Sequence, residues 1–300
     1  GNVNYSISEG SLPDLKILEV AVEEKATGEI SAGAGFGTEG TSLMFAVKEN
    51  NWLGRGIQLT SGLNLSEENV SGQFSVNNPN YNFTGNSVFA SVDVASTDYS
   101  KTSGYESSKT GVALGTRFEQ YEDIYFSPSI SASYEDIEVA STASSSIKKM
   151  DGTYTNADLY YGITMDKRDQ PYQPTSGFQT KFIQSLPMIM DSSSLLNGFD
   201  LQTYHTISQD LIGSFKFYAR SIHGMQDEDV RLTSRLHLPG NKLRGFQTRR
   251  VGPKDGDDFI GGNYATAISF EGQLPNLLPE DTKTDISIFL DAANLWSVDY

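Results

Sequence analysis

Ile57-Gln58-Leu59-Thr60-Ser61-Gly62-Leu63-Asn64-Leu65 is the stretch whose reading decides the fold. Ile57, Leu59, Leu63 and Leu65 fall on one phase of a two-residue period, and Gln58, Thr60, Gly62 and Asn64 fall on the other. An extended chain points successive side chains to opposite faces, so the run is a strand with one apolar and one polar face. The following run repeats it, with Val70, Phe74 and Val76 against Ser71, Gln73, Ser75 and Asn77. Further on, Ile124, Phe126, Ile130, Ala132 and Tyr134 alternate with Ser127, Ser129, Ser131 and Ser133, and Leu159, Tyr161 and Ile163 with Asp158, Tyr160, Gly162 and Thr164. The first run obeys the same rule: Ile30, Ala32, Ala34 and Phe36 stand against Ser31, Gly33, Gly35 and Gly37.

About thirteen such segments are expected, beginning near Glu29, Thr41, Ile57, Val70, Ser87, Lys109, Asp123, Thr153, Ser176, Leu195, Ile212, Gly262 and Thr284. Most are read as roughly 9 to 12 residues long, the length a tilted strand needs to cross a bilayer. A soluble sandwich uses strands of about 5 to 6 residues with large aliphatics on a shared core. Here the second face is Ser, Thr, Gly, Asn and Gln, which suits a solvated lumen behind a lipid-facing wall. The predicted class is therefore all-β, an antiparallel transmembrane β-barrel. Connections after odd-numbered runs are expected to be long, the longest over residues 224–261, and those after even-numbered runs short. Trp52, Tyr81 and Phe83 near the short turns suit an interfacial aromatic girdle, with ordinary core packing as the alternative.

Composition agrees by exclusion. The 300 residues carry 22 Lys plus Arg against 38 Asp plus Glu, a net charge of −16, and no cysteine. That balance leaves no basic surplus for nucleic acid, and the missing cysteines remove disulfide scaffolds and thiolate metal sites. A mean hydropathy of −0.37 excludes a bundle of apolar spanning helices. Residues 1–27 behave differently: Leu15, Ile17, Leu18, Val20 and Val22 make a short strand-like run, read as the tail of a preceding soluble domain, with the barrel occupying 28–300. Thirteen is an odd count, which bacterial single-chain barrels avoid, so an incomplete barrel is expected.

Little in the chain suggests catalysis. His205, His223 and His237 have no ligand-like spacing, no metal or other cofactor is implied, and no G-x-S-x-G elbow occurs. Gly33, Gly35 and Gly37 lead into no helix that would make them a phosphate loop. The distinctive segment is the long connection, where Leu243-Arg244-Gly245-Phe246 is accompanied by Gly240, Arg249, Arg250, Gly252 and Pro253. Loops of this length without regular structure are functional or disordered, and a solvated basic surface loop accounts for these residues equally well.

Taken in order, these motifs resemble the BamA-type outer-membrane protein assembly factors of the bacterial insertase superfamily. The resemblance rests on Val22-Glu23-Glu24-Lys25 and Thr27-Gly28, Asn51-Trp52-Leu53-Gly54-Arg55-Gly56, Asn77-Asn78-Pro79, and Asp166-Lys167-Arg168-Asp169 through Pro174-Thr175-Ser176-Gly177. It continues through Leu243-Arg244-Gly245-Phe246, Gly261-Gly262-Asn263, and Phe289-Leu290-Asp291 before Trp296. Leu243 departs from the family's usual Val. The resemblance implies a sixteen-stranded barrel in the bacterial outer membrane, with residues 1–27 the end of a periplasmic polypeptide-transport-associated domain and the last three strands absent. It also implies that the arginine loop folds into the lumen, with Arg244 meeting Glu271 and Asp291. The phase agrees: Glu271 is in step with Ser269, and Asp291 with Ser287.

The implied function is non-enzymatic: folding and insertion of outer-membrane proteins through a lateral gate. The gate's first strand would be Glu29, Ile30, Ser31, Ala32, Gly33, Ala34, Gly35, Phe36 and Gly37. On the residues alone, its glycines suit a kink in the barrel wall as well as a weakly paired gate, and the resemblance favours the gate. Implied partners are unfolded outer-membrane proteins, periplasmic chaperones, the lipoproteins of the assembly machine and the lipid bilayer. Related translocation-and-assembly-module barrels and two-partner secretion pores share the arginine loop. A general diffusion porin shares the alternation and would not need Arg244, and a soluble β-rich adhesin would be monomeric without detergent.

Overall fold

The computed structural model describes residues 3–12, 14–23, 25–37, 40–190, 194–225, 229–279 and 284–298. Glu24, quoted above in the motif preceding the barrel, lies outside them. Two strands, β1 (Val3–Glu9) and β2 (Lys16–Val22), form a separate antiparallel ribbon. Thirteen more build one continuous sheet: β3 (Gly28–Gly37), β4 (Gly40–Trp52), β5 (Ile57–Ser66), β6 (Asn69–Asn78), β7 (Ser87–Tyr99), β8 (Tyr105–Tyr121), β9 (Ile124–Val139), β10 (Gly152–Asp166), β11 (Gly177–Met190), β12 (Ser194–Ser208), β13 (Leu211–Gly224), β16 (Tyr264–Leu274) and β17 (Ile286–Trp296). Between β13 and β16 the long connection contributes a two-residue hairpin, β14 (Lys254–Asp255) with β15 (Asp258–Phe259). One-turn helices α1 (Ser100–Ser103) and α2 (Ser145–Lys148) lie in two other connections. Each sheet strand pairs antiparallel with its sequence neighbour, and β3 and β17 are the two edges.

The register shows why alternation dictates a barrel wall. One row reads Ser31, Ala46, Gly62, Gln73, Asp93, Gly111, Ser133 and Asn156 across β3 to β10. The next reads Ile30, Val47, Ser61, Phe74, Val92, Val112, Ala132 and Ala157. Small polar residues thus line the lumen, and apolar ones form the outer face, where Ile30, Val47, Phe74, Val92 and Val112 are exposed as lipid contact requires. Trp52, Tyr81 and Phe83 are likewise exposed, Phe83 by 95%, which excludes core packing for them.

Two expectations need correction. The sheet strands run from 10 to 17 residues, longer in the middle of the sheet than 9 to 12, because backbone pairing continues past the stretches that alternate apolar and polar residues. The long–short alternation of connections also fails in part. β5 and β6 turn over Glu67 and Glu68, a hairpin closed by Ser66 Oγ accepting from the Asn69 N–H at 3.1 Å. Gly37 pairs directly with Gly40, and Met190 is followed by β12 at Ser194. Conversely, the even-numbered connection over residues 167–176 is long, folded around Asp169, which accepts from the Thr175 and Ser176 N–H groups at 3.0 and 3.2 Å.

Candidate functional site

The connection between β13 and β16 folds inward. At its neck the Leu236 N–H donates to Gly262 O at 2.9 Å and the Gly262 N–H returns to Leu236 O at 3.0 Å. Gly262 is required there, since a Cβ would stand 2.7 Å from Trp296 O of β17. From this neck Val230, Leu236 and Leu238 pack on Tyr218, Ile222, Ala265, Ala267 and Leu295 of the wall, with Leu243 and Val251 beside them. Ala265 and Ala267 are almost fully buried, so the loop lies directly against small residues of β16.

Leu243-Arg244-Gly245-Phe246 forms the turn of the loop against β16 and β17. Gly245 has φ +86°, a left-handed conformation that glycine adopts without strain, and it reverses the chain just after the arginine. Arg244 then meets the wall with its whole guanidinium. Nε and Nη2 donate to the two Asp291 carboxylate oxygens, each at 2.8 Å, a bidentate pair. Nη2 also donates to Ser269 Oγ at 2.9 Å, Nη1 to Glu271 Oε2 at 3.3 Å, and the Arg244 backbone N–H to Asp291 Oδ2 at 3.0 Å. The guanidinium carbon lies 3.5 Å from the centroid of the Phe289 ring. Register explains the convergence: Ser269 is opposite Asp291, and Glu271 is opposite Phe289, so two adjacent lumen rows supply every contact. The Asp291 side chain is only 3% exposed, against 28% for Arg244.

Arg244, Glu271 and Asp291 are therefore brought together, while Leu243 packs with the loop core and Phe246 stays 57% exposed. The strand Glu29 to Gly37 is not part of this cluster; it forms the opposite edge of the sheet from β17. Other contributors have no role assigned from the sequence. Lys216 of β13 donates to Glu271 Oε2 at 3.0 Å, so that carboxylate answers two cations. Phe289, in phase with Asp291, was legible in principle. The loop's far contacts were not: Arg231 meets Glu135 of β9 at 3.3 Å, both nearly buried, and stacks over Tyr154 at 4.3 Å. Arg249 Nη2 donates to the Tyr105 hydroxyl at 2.7 Å and its guanidinium covers Tyr99 at 4.0 Å. Asp258 Oδ2 accepts the Ser144 N–H at 3.0 Å, and Asp255 accepts from Ser146 of α2. The loop thus spans the lumen from β16 and β17 to β8, β9 and β10. Among the described residues no three His, Asp or Glu side chains are grouped to hold a metal ion.

A barrel wall of this register with an inward arginine loop matches a known family model, the Omp85 superfamily domain, over residues 51–300. The chain belongs to the Omp85 superfamily. It is 26% identical over 291 residues to the outer membrane protein assembly factor BamA of Neorickettsia risticii, covering 94% of this chain and 39% of that protein. In fold it is similar to BamA from Haemophilus ducreyi lacking POTRA domains 1–3, with a TM-score of 0.83 at 19% identity over 99% of this chain and 63% of that one. CdiB from Acinetobacter baumannii is more distant in shape, with a TM-score of 0.55 at 12% identity over 97% of this chain and 55% of CdiB. The chain thus spans less than two thirds of each of these proteins. As an Omp85 barrel of this kind it is a bacterial outer-membrane protein.

Proposed function

We propose that this Omp85 chain is the barrel of an assembly factor that folds and inserts outer-membrane proteins, and that Arg244 is the latch holding its long loop in the lumen. The observation that carries the reading is the concerted use of one guanidinium, all three of its nitrogens donating: a bidentate Asp291, then Ser269, Glu271 and the Phe289 face. Lysine has neither the planar fork nor the stacking face to satisfy these partners together. Similarity to BamA along 94% of the chain supports assembly over two-partner secretion.

Insertion itself would use backbone chemistry. β3 is an edge whose glycines Gly33 and Gly35 face the lumen, and a Cβ on Gly33 would meet nothing within 4 Å. Packing does not demand glycine at position 33, whereas at Gly35 a Cβ would stand 3.0 Å from Ser42 Oγ, so Gly33 is the position read as serving the strand's pliability. A first strand that pairs only weakly with the barrel's last can offer its N–H and C=O groups to an incoming strand, so many substrate sequences can be accepted without nucleotide or metal. The β1–β2 ribbon, with Val3, Tyr5, Ile7, Leu18, Val20 and Val22 exposed along one face, is read as the end of a periplasmic polypeptide-transport-associated domain. Assembly lipoproteins and chaperones would act through that side. The test is site-specific crosslinking from β3, at Ile30 and Phe36, to a stalled unfolded outer-membrane protein in the full-length protein. Crosslinks confined to the substrate's terminal strand support the gate, and crosslinks equally frequent from β9 refute it.

A further inference from the structure

The outer face carries a depression that neither the loop nor the gate explains. Gly213 of β13 and Gly272 of β16 are directly paired, and both point to the lipid side, in one row with His205 and Ile288. Two adjacent missing side chains leave a groove of about 580 Å³. Phe215 and Phe270, 5.1 Å apart between ring centroids, close it toward the membrane centre, Ile207 and Leu211 flank it on the periplasmic side, and Leu290 continues the wall. We propose that this groove binds one phospholipid of the periplasmic leaflet and selects a headgroup bearing a primary amine.

The occupant follows from position and charge. The groove interrupts a surface whose neighbours in every row are lipid-facing, so an acyl chain is the apolar body already beside it, and an unfilled notch would forfeit dispersion contacts. Its lining is mostly apolar: Ser214 and Glu271 also border it but belong to the lumen phase, and of the outward-facing residues Thr203 and His205 are the polar ones, on one wall where donors can reach a lipid's ester or phosphate oxygens. Below it, the β12–β13 turn presents the exposed carboxylate of Asp210, held by Asn276 Nδ2 at 2.8 Å. Asp210 is three residues along the chain from Gly213, roughly 10 Å at the usual strand rise, which is within reach of one headgroup. Among the described residues, 203–215, 270–279 and 284–290 contain no Lys or Arg, and the intervening sequence sets Lys283 against Glu280 and Asp281, so the rim's net acidity favours an ammonium and disfavours an anionic headgroup.

The full-length protein in detergent, titrated with dioleoyl phosphatidylethanolamine, phosphatidylcholine or phosphatidylglycerol and read by native mass spectrometry, tests this. The parent is expected to retain phosphatidylethanolamine at least fivefold over phosphatidylglycerol, with phosphatidylcholine, which lacks N–H donors, in between. Gly272→Leu fills the groove; a Cβ there is 3.3 Å from the Leu211 Cδ1, a movable methyl. It should cut phosphatidylethanolamine retention at least fivefold, and Gly213→Val, whose Cβ displaces only the Ile207 Cδ1, serves as the second filling variant. Asp210→Asn should remove the headgroup preference while bound lipid persists. Equal retention of the amine and glycerol lipids by the parent, or undiminished retention in both filled variants with a heat-modifiable folded barrel, overturns the proposal.

Discussion

Replacing Arg244 by alanine removes every side-chain contact of the latch at once, leaving only the backbone N–H to Asp291, and the structure sets the size of the effect. Asp291, 3% exposed, would keep its charge and lose its bidentate partner. Stripping one member from a buried ion pair costs about 3–5 kcal/mol. Arg244 is 28% exposed, and water entering the vacated space rehydrates the carboxylate in part, so the lower end, about 3 kcal/mol, applies to docking of the loop. That corresponds to on the order of a hundredfold rise in the undocked population. Arg244→Lys keeps the charge and one donor direction, so about tenfold is expected. The assay is trypsin cleavage at Arg249 and Arg250 in the folded barrel, where cutting reports the population of the released loop when reclosing is fast. Arg244→Ala with Asp291→Asn should cleave no faster than Arg244→Ala alone, because the second change removes a partner already lost. A cleavage rate within threefold of the parent, in barrels that retain their heat-modifiable mobility, refutes the latch.

Gly33→Val should stiffen β3 by roughly 1 kcal/mol without a steric penalty, so substrate insertion slows while barrel folding is unchanged; unchanged insertion kinetics count against a pliable gate strand. His237 in the loop is pushed down to about 3 by burial and then by the neighbouring charges of Arg249 and Arg235. Its neutral form therefore belongs to the docked loop, and protease protection should weaken as pH falls from about 6.5 toward 3, by about 1.4 kcal/mol per pH unit at most. His237→Leu should flatten that pH profile. Gly262→Ala places a Cβ 2.7 Å from Trp296 O and should open the loop neck, read as faster amide exchange at Leu236 and Asn263. Glu135→Gln leaves Arg231 nearly buried beside a neutral partner and should raise loop cleavage as Arg244→Ala does, by acting on the opposite wall of the lumen.

The barrel strands were legible because bilayer and lumen impose opposite chemistry on alternate residues, and that contrast is written locally in every strand. It fades where both faces are wet. The first turns of β8 read Tyr105-Glu106-Ser107-Ser108-Lys109, with Glu106 and Ser108 on the outer phase, so no apolar face marks them, yet backbone pairing to β9 continues through Val139. That is why the strands outrun their alternating stretches and why several connections are tight hairpins. β1 was missed for a related reason, since Val3, Tyr5 and Ile7 alternate over a single short run. Arg244 meets Asp291 across 47 residues, and no local period reports such a pairing. The resemblance suggested those partners; Lys216, Arg231 with Glu135, and Arg249 with Tyr99 and Tyr105 depend on which strands the loop crosses, which only the fold determines.

The order of residues down the lumen wall explains how so long a loop finds one depth. Successive lumen positions of β16 read Ala265, Ala267, Ser269 and Glu271, and those of β17 read Leu295, Ala293, Asp291 and Phe289. The paired rows pass from apolar or small residues (Ala265 with Leu295, Ala267 with Ala293) to rows that each carry one acid (Ser269 with Asp291, Glu271 with Phe289), and the loop is graded to match: Val230, Leu236 and Leu238 lie on the alanines, and Arg244 reaches the acids. A slip of one lumen position, about 7 Å along the strand, would set the guanidinium over Ala267 and Ala293 and leave Asp291 unpaired. Both errors cost in the same direction, so depth is selected by charge at the end of an apolar track. Loop length is then free to serve the crossing to Glu135 and Tyr105, because registration is already set by a single arginine and the two rows it touches.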